Sequence, residues 1–162
     1  MSSKLTILNA VMSTLKAAQA TGQPLEFVKN IYGGYFDALN NLPAQSYPNI
    51  VVEVDGDDEK FFTTGTPPAL KSDFKIFVFC RVFETMPGTS LFGDHTVTPP
   101  VYGLVEFVDT VKQVLQADMT LGNTQGMQKL SFPAAPFSFM FYPIREAKLH
   151  VTLDSQLTTT SH

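Results

Sequence analysis

Two adjacent residues in the middle of the chain, Asp94 and His95, have the chemistry of an acid/base pair. His95 with His150 or His162 also has the donor types of a metal site. The spacing argues against both. Neighbouring residues in one loop seldom converge on a single substrate, and neither H-x-x-x-H nor H-E-x-x-H occurs. Ser90 has no G-x-S-x-G setting, and Gly33-Gly34 lacks the further glycines of a dinucleotide loop. No G-x-x-x-x-G-K-[ST] is present to cradle phosphates. The reading is a non-enzyme that needs no cofactor or metal, with a small enzyme built on Asp94 and His95 as a distant alternative.

Three other constellations carry charge or aromatic surface. The acidic run Glu53, Asp55, Asp57, Asp58 and Glu59 lacks the alternating ligands and distant Glu of a calcium loop. It suits either a surface that repels phosphates or a solvated hairpin tip. Phe77, Phe79 and Phe83 interleave with Lys75 and Arg81, the composition of a single-strand nucleic-acid platform or of a subunit contact. A net charge of -4 disfavours a protein that grips phosphates, so core packing under a further layer, or a subunit contact, is the preferred reading. Phe92, Asp94 and His95 sit in a long stretch, Met86 to Pro100, whose prolines and glycines suggest a mobile docking loop.

These residues have to be positioned by a small scaffold. At 162 residues the chain reads as one domain over 1–155, followed by a flexible tail over 156–162. Hydrophobic residues make up 44% against 16% charged, more apolar than a small isolated domain requires, so part of the surface is expected to meet other protein. The single cysteine, Cys80, lies on the apolar side of a strand and is expected to be buried and inert. The apolar pattern of the first residues is broken by Thr6, Asn9, Ser13 and Thr14, which suggests neither a signal peptide nor a membrane span, and hence a cytosolically made product.

The central element is D-F-K-I-F-V-F-C-R-V-F-E, Asp73 to Glu84, a long strand without Gly or Pro. Period two puts Phe74, Ile76, Val78, Cys80 and Val82 on one face and Lys75, Phe77, Phe79, Arg81 and Phe83 on the other. Ahead of it, Leu5, Leu8, Val11, Met12 and Leu15 mark a helix over Lys4 to Ala20, and N-I-V-V-E-V-D marks a strand closed by the acidic run. Leu25 to Tyr32 fits a helical turn or an irregular strand. After it, Thr98 with Pro99 or Pro100 suggests a helix start, and Leu104, Phe107, Val108, Val111, Val114 and Leu115 give the second helix its apolar stripe. Gln128 to Tyr142 reads as one or two edge strands broken by Pro133 and Pro136. Arg145 to Leu153 alternates strictly, with Ala147, Leu149, Val151 and Leu153 facing in and Glu146, Lys148, His150 and Thr152 facing out. The sum is an α+β domain, a mainly antiparallel sheet of about four strands with two helices packed on one face.

The order of these pieces carries a resemblance. The N-terminal helix, P-N-I-V-V-E-V-D at Pro48 to Asp55, F-K-I-F-V-F-C-R-V-F, G-L-V-E-F-V-D-T-V-K-Q-V-L at Gly103 to Leu115 and the closing Y-P-I-R-E-A-K-L-H-V-T-L resemble tail terminator, or tail completion, proteins of long-tailed bacteriophages. The resemblance implies a structural virion protein made in the host cytoplasm and located at the head-proximal end of the tail. Such a protein forms a ring of six, ends tail-tube polymerisation and joins the tail to the head-side connector. The implied partners are further copies of itself, the tail tube protein and the connector or neck protein. DNA passes through without specific binding, and no membrane is involved. On this view Glu53 to Glu59 are a candidate lumen lining, the Lys75 to Phe83 face a candidate subunit interface, and Phe92, Asp94 and His95 a candidate docking loop. A neighbouring neck adapter or tail tube protein of the same particle is the alternative.

Overall fold

The computed structural model describes residues 3–61, 69–84, 89–117, 127–131, 137–141 and 143–158. β3 (Ala69–Phe83) is the middle of the sheet, antiparallel to β2 (Asn49–Phe61) on one side and to β6 (Ile144–Thr158) on the other. Register turns the sequence alternation into a core. Cys80 pairs with Ile50 and Ala147, and Val78 pairs with Val52 and Leu149, so the apolar residues of three strands share one face. All six of these side chains are buried.

Two helices cover that face, because each has only one apolar stripe to remove from water. α1 (Ser3–Ala17) buries Ile7, Val11, Leu15 and the following Ala18, with Leu8 and Met12 at the flank. Leu5, expected in the stripe, is 56% exposed, because the i, i+4 line through Val11 runs back to Ile7. The helix also stops at Ala17, short of the expected Ala20. α3 (Leu104–Gln116) buries Leu104, Phe107, Val108, Val111 and Leu115. It starts after Gly103 rather than at Thr98: the Glu106 carboxylate reaches back to accept the Gly103 backbone N–H at 2.9 Å, satisfying an orphan donor of the first turn.

Among the described residues the sheet has six strands rather than about four. β1 (Asn30–Gly33) runs parallel to the start of β2, so the ambiguous Leu25 to Tyr32 stretch divides: the Val28 N–H donates to Leu25 O at 3.0 Å in a turn, and Asn30 to Tyr32 are strand. β4 (Met127–Ser131) and β5 (Phe137–Phe141) pair with different halves of the outer side of β6. The class is α+β, mainly antiparallel, with the two long helices on one face.

Three expectations about chain path change. The acidic run does not close β2; that strand continues to Phe61 with a register irregularity between Val54 and Gly56, so Asp57, Asp58 and Glu59 are paired residues. The stretch expected as a mobile loop contains α2 (Thr89–Phe92) and an antiparallel bridge between Asp94 and Val101, while residues 85–88 lie outside the described residues. β6 runs to Thr158, so the first residues of the expected tail, 156–158, are strand, and 159–162 lie outside the described residues. Among the described residues no helix is long and apolar enough to cross a membrane.

Candidate functional site

The second face of the sheet, away from the helices, is sealed at one end and open along its middle. Residues 35–47, carrying two short 3-10 turns at Asp37–Asn41 and Ala44–Ser46, form a strap over the sealed end. Beneath it Arg81 and Glu146, directly opposite in register, form an ion pair at 2.9 Å with both side chains almost wholly buried. The guanidinium centre is 5.5 Å from the ring centroids of both Tyr35 and Tyr47. Arg81 Nη2 donates to Asn40 Oδ1 at 3.1 Å, and the Tyr35 hydroxyl lies 3.0 Å from that oxygen and 3.2 Å from Glu146 Oε2. Burial, with Glu146 second, pushes the Tyr35 phenol above its ordinary range. Burial is also the leading influence on Tyr47, and again it pushes the phenol up.

This corrects two expectations. Arg81 was placed on a subunit interface, but it is enclosed by its own chain, because Glu146 and the strap give the buried guanidinium its partners. Glu146 was expected to face out and is buried for the same reason. A nucleic-acid platform led by Arg81 has no exposed guanidinium to offer. The sequence signal for the pair was a cation and an anion at like-parity positions of two long strands, but it becomes a contact only once register is known.

Beyond the strap, Phe79 and Phe77 are half-buried and form an aromatic row with Tyr35 and His150. Tyr35 to Phe79 measures 5.3 Å between centroids and Phe77 to His150 measures 4.7 Å. Lys148 Nζ lies 3.9 Å from the Phe77 centroid, and Lys75 is exposed. Lys75, Phe77 and Phe79 therefore remain on an accessible surface, whereas Phe83 turns to Tyr47, 5.6 Å away, at the end of the sheet.

The acidic run lies along β2. Glu53 is half-buried and structural, accepting the Tyr35 N–H at 2.8 Å and the Val54 N–H at 2.9 Å. Asp55 is exposed. Asp58 instead joins a row across strands that the linear sequence does not reveal: it stands opposite Asp73, which stands opposite Asp154. Lys129 follows Asp154 in that row, and Lys60 with Lys71 occupies the next row of the same parity. Asp57 and Glu59 fall at the intervening positions, opposite Phe74 and Ser72.

Asp94 and His95 do not form an acid/base pair. Asp94 Oδ1 accepts the Thr96 N–H at 2.9 Å and the Thr96 hydroxyl, and these bonds hold its carboxyl below the usual carboxylate range. His95 Nε2 lies 2.8 Å from both Glu106 oxygens, and its ring meets Tyr102 edge-on at 5.2 Å. Ser90, buried under this segment, donates to Glu84 and accepts from Arg145 Nε at 2.9 Å, a tie between α2 and the strand ends. Phe92 stands 76% exposed.

Concavities also mark the surface among the described residues. A groove of about 590 Å³ at the sheet end is lined by Phe27, Tyr47, Phe83 and Tyr102, with Pro24, Pro48, Pro99 and Pro100 around them. Phe27 and Tyr102 stack at 4.0 Å. A notch of about 370 Å³ beside β1 is lined by Leu8, Met12, Gly33, Gly34, Val52 and Val54 among others. Among the described residues no group of three or more His, Cys, Asp or Glu side chains is placed to hold a metal ion. No protein-family model matches the chain, and no curated protein matches it.

Proposed function

We propose that this chain is a ring-forming structural subunit of a bacteriophage tail, a terminator that caps the tail tube, ends its polymerisation and joins it to the head-side connector. The observation that carries the ring is the β1 edge. β1 is a four-residue outermost strand with no partner on its far side among the described residues; beside it Val54, in the notch, is 44% exposed and Phe36, whose ring meets Tyr32 at 6.3 Å, is 50% exposed. Unpaired strand edges and contiguous exposed apolar surface invite another chain. The opposite edge is built differently, from β4 and β5. Two unlike edges support a head-to-tail contact, the kind that closes into a ring, rather than a two-fold pair through the sheet.

The terminator role itself rests on the resemblance of the strand and helix segments to tail terminator proteins, and the net charge of -4 suits a bore through which DNA slides without being held. Electron microscopy and native mass measurement of the purified protein, alone and with tail-tube subunits, test it. Rings that arrest tube growth are the expected result. A chain that stays monomeric and leaves tube length unchanged overturns it.

A further inference from the structure

We infer that two copies of this chain also pair end to end, the Phe92 tip of each seated in the aromatic groove of the other with Asp94 facing Lys29. This contact uses the sheet end rather than the β1 edge and does not rest on the ring reading. Both halves of it belong to one segment. Phe92 ends α2, and nine and ten residues of chain later Val101 and Tyr102 wall the groove together with Val82 and Phe83 at the end of β3. A knob and a hole on one patch make that patch self-complementary, the requirement of a two-fold contact.

The knob is held rigidly. Gly93 has φ +75, and a Cβ there would lie 2.6 Å from Val101 O and 2.7 Å from Gly103 N, so only glycine allows the chain to cross itself this closely. The Gly93 N–H donates to Thr89 O at 2.8 Å, and Asp94 and Val101 exchange two backbone bonds at 2.8 Å. A fixed aromatic anchor loses little conformational freedom when it docks. The hole offers matching chemistry, four aromatic side chains with proline walls.

Charge completes the match. Lys29 stands exposed on the groove rim and has no carboxylate partner among the described residues, while the neighbouring Glu26 accepts the Gly22 N–H at 3.1 Å. Asp94 is part-exposed on the same segment as Phe92, a carboxylate whose Oδ1 accepts from Thr96 and which supplies the opposite charge to Lys29.

Analytical ultracentrifugation of the full chain tests the pairing. Phe92→Asp, with its fold checked by circular dichroism, is expected to weaken pairing at least about tenfold, as loss of a buried aromatic anchor does. Phe92→Gln, a milder change, is expected to weaken it in the same direction. Wild-type pairing is expected to weaken as salt rises, and Lys29→Glu to lower both the affinity and that salt sensitivity. Unchanged association of both Phe92 variants overturns the proposal, as does a wild-type chain that never pairs. Rings that persist in Phe92→Asp while end-to-end pairs vanish support this contact and leave the ring reading standing. Pairs that persist while Val54→Asp fails to affect any larger assembly count against the ring reading alone.

Discussion

At the scale of single residues, the chain places one ion pair where burial makes it matter. Arg81 and Glu146 are enclosed between sheet and strap, and truncating one partner leaves the other charge desolvated and unpaired. Arg81→Met is therefore expected to cost about 3–5 kcal/mol, read from urea unfolding, whereas the double variant Arg81→Met/Glu146→Leu should recover much of that loss. Equal losses in single and double variants would mean that the strap, not the pair, sets the stability. Cys80 makes a complementary probe. It is fully buried and burial pushes its thiol well above the ordinary range, so a thiol reagent at pH 8 should label it only as fast as the protein unfolds. Rapid labelling under native conditions would place it nearer the surface. Which residues were buried on the helix-facing side was legible from alternation in Phe74 to Val82 and Ala147 to Leu153. Alternation also set Arg81 and Glu146 on the opposite side but could not reveal the strap above them, because residues 35–47 have no regular period to read.

At the scale of elements, tight crossings and register decide what propensity cannot. Gly103 precedes α3 with an ordinary φ of -86, so local preference alone would accept alanine. A Cβ there would meet Leu91 O and Phe92 C at 2.5 Å and clash with the Gly93 amide. Gly103→Ala is accordingly expected to destabilise by about 1–3 kcal/mol through overpacking. Gly22→Ala, with nothing within 4 Å but φ +83, should cost about 1–2 kcal/mol from backbone preference alone. Thermal melts of the two variants separate these causes, and a neutral Gly103→Ala would refute the close crossing. The path of β2 on to Phe61, paired with β3, is the other element-scale feature. The sequence suggested a turn here because D-G-D-D-E has turn composition. Pairing to β3 outweighs that local preference, as cross-strand hydrogen bonding often does.

At the scale of the whole molecule, the chain keeps apolar surface that its own fold does not use, and two stretches of it among the described residues bear on assembly. Phe36, against Tyr32, and Val54, in the notch, lie at the β1 edge, while Phe92 and Val97 stand on the segment beyond β3, at the sheet end. If the first patch closes a ring and the second pairs ends, the two assemblies should come apart under different substitutions. Val54→Asp puts a carboxylate beside the notch without touching the buried core, since Val54 is already 44% exposed. It should leave the unfolding midpoint of the subunit nearly unchanged, because exposed substitutions usually fall within about 0.5 kcal/mol. Ring formation, by contrast, should weaken at least about tenfold from an unpaired charge at the contact. Native mass spectra of Val54→Asp and Phe92→Asp side by side would read both effects: loss of rings in the first with pairs retained, and loss of pairs in the second with rings retained. Loss of both species in either variant would mean that a single surface carries all association, and the separation of edge from end would then be wrong.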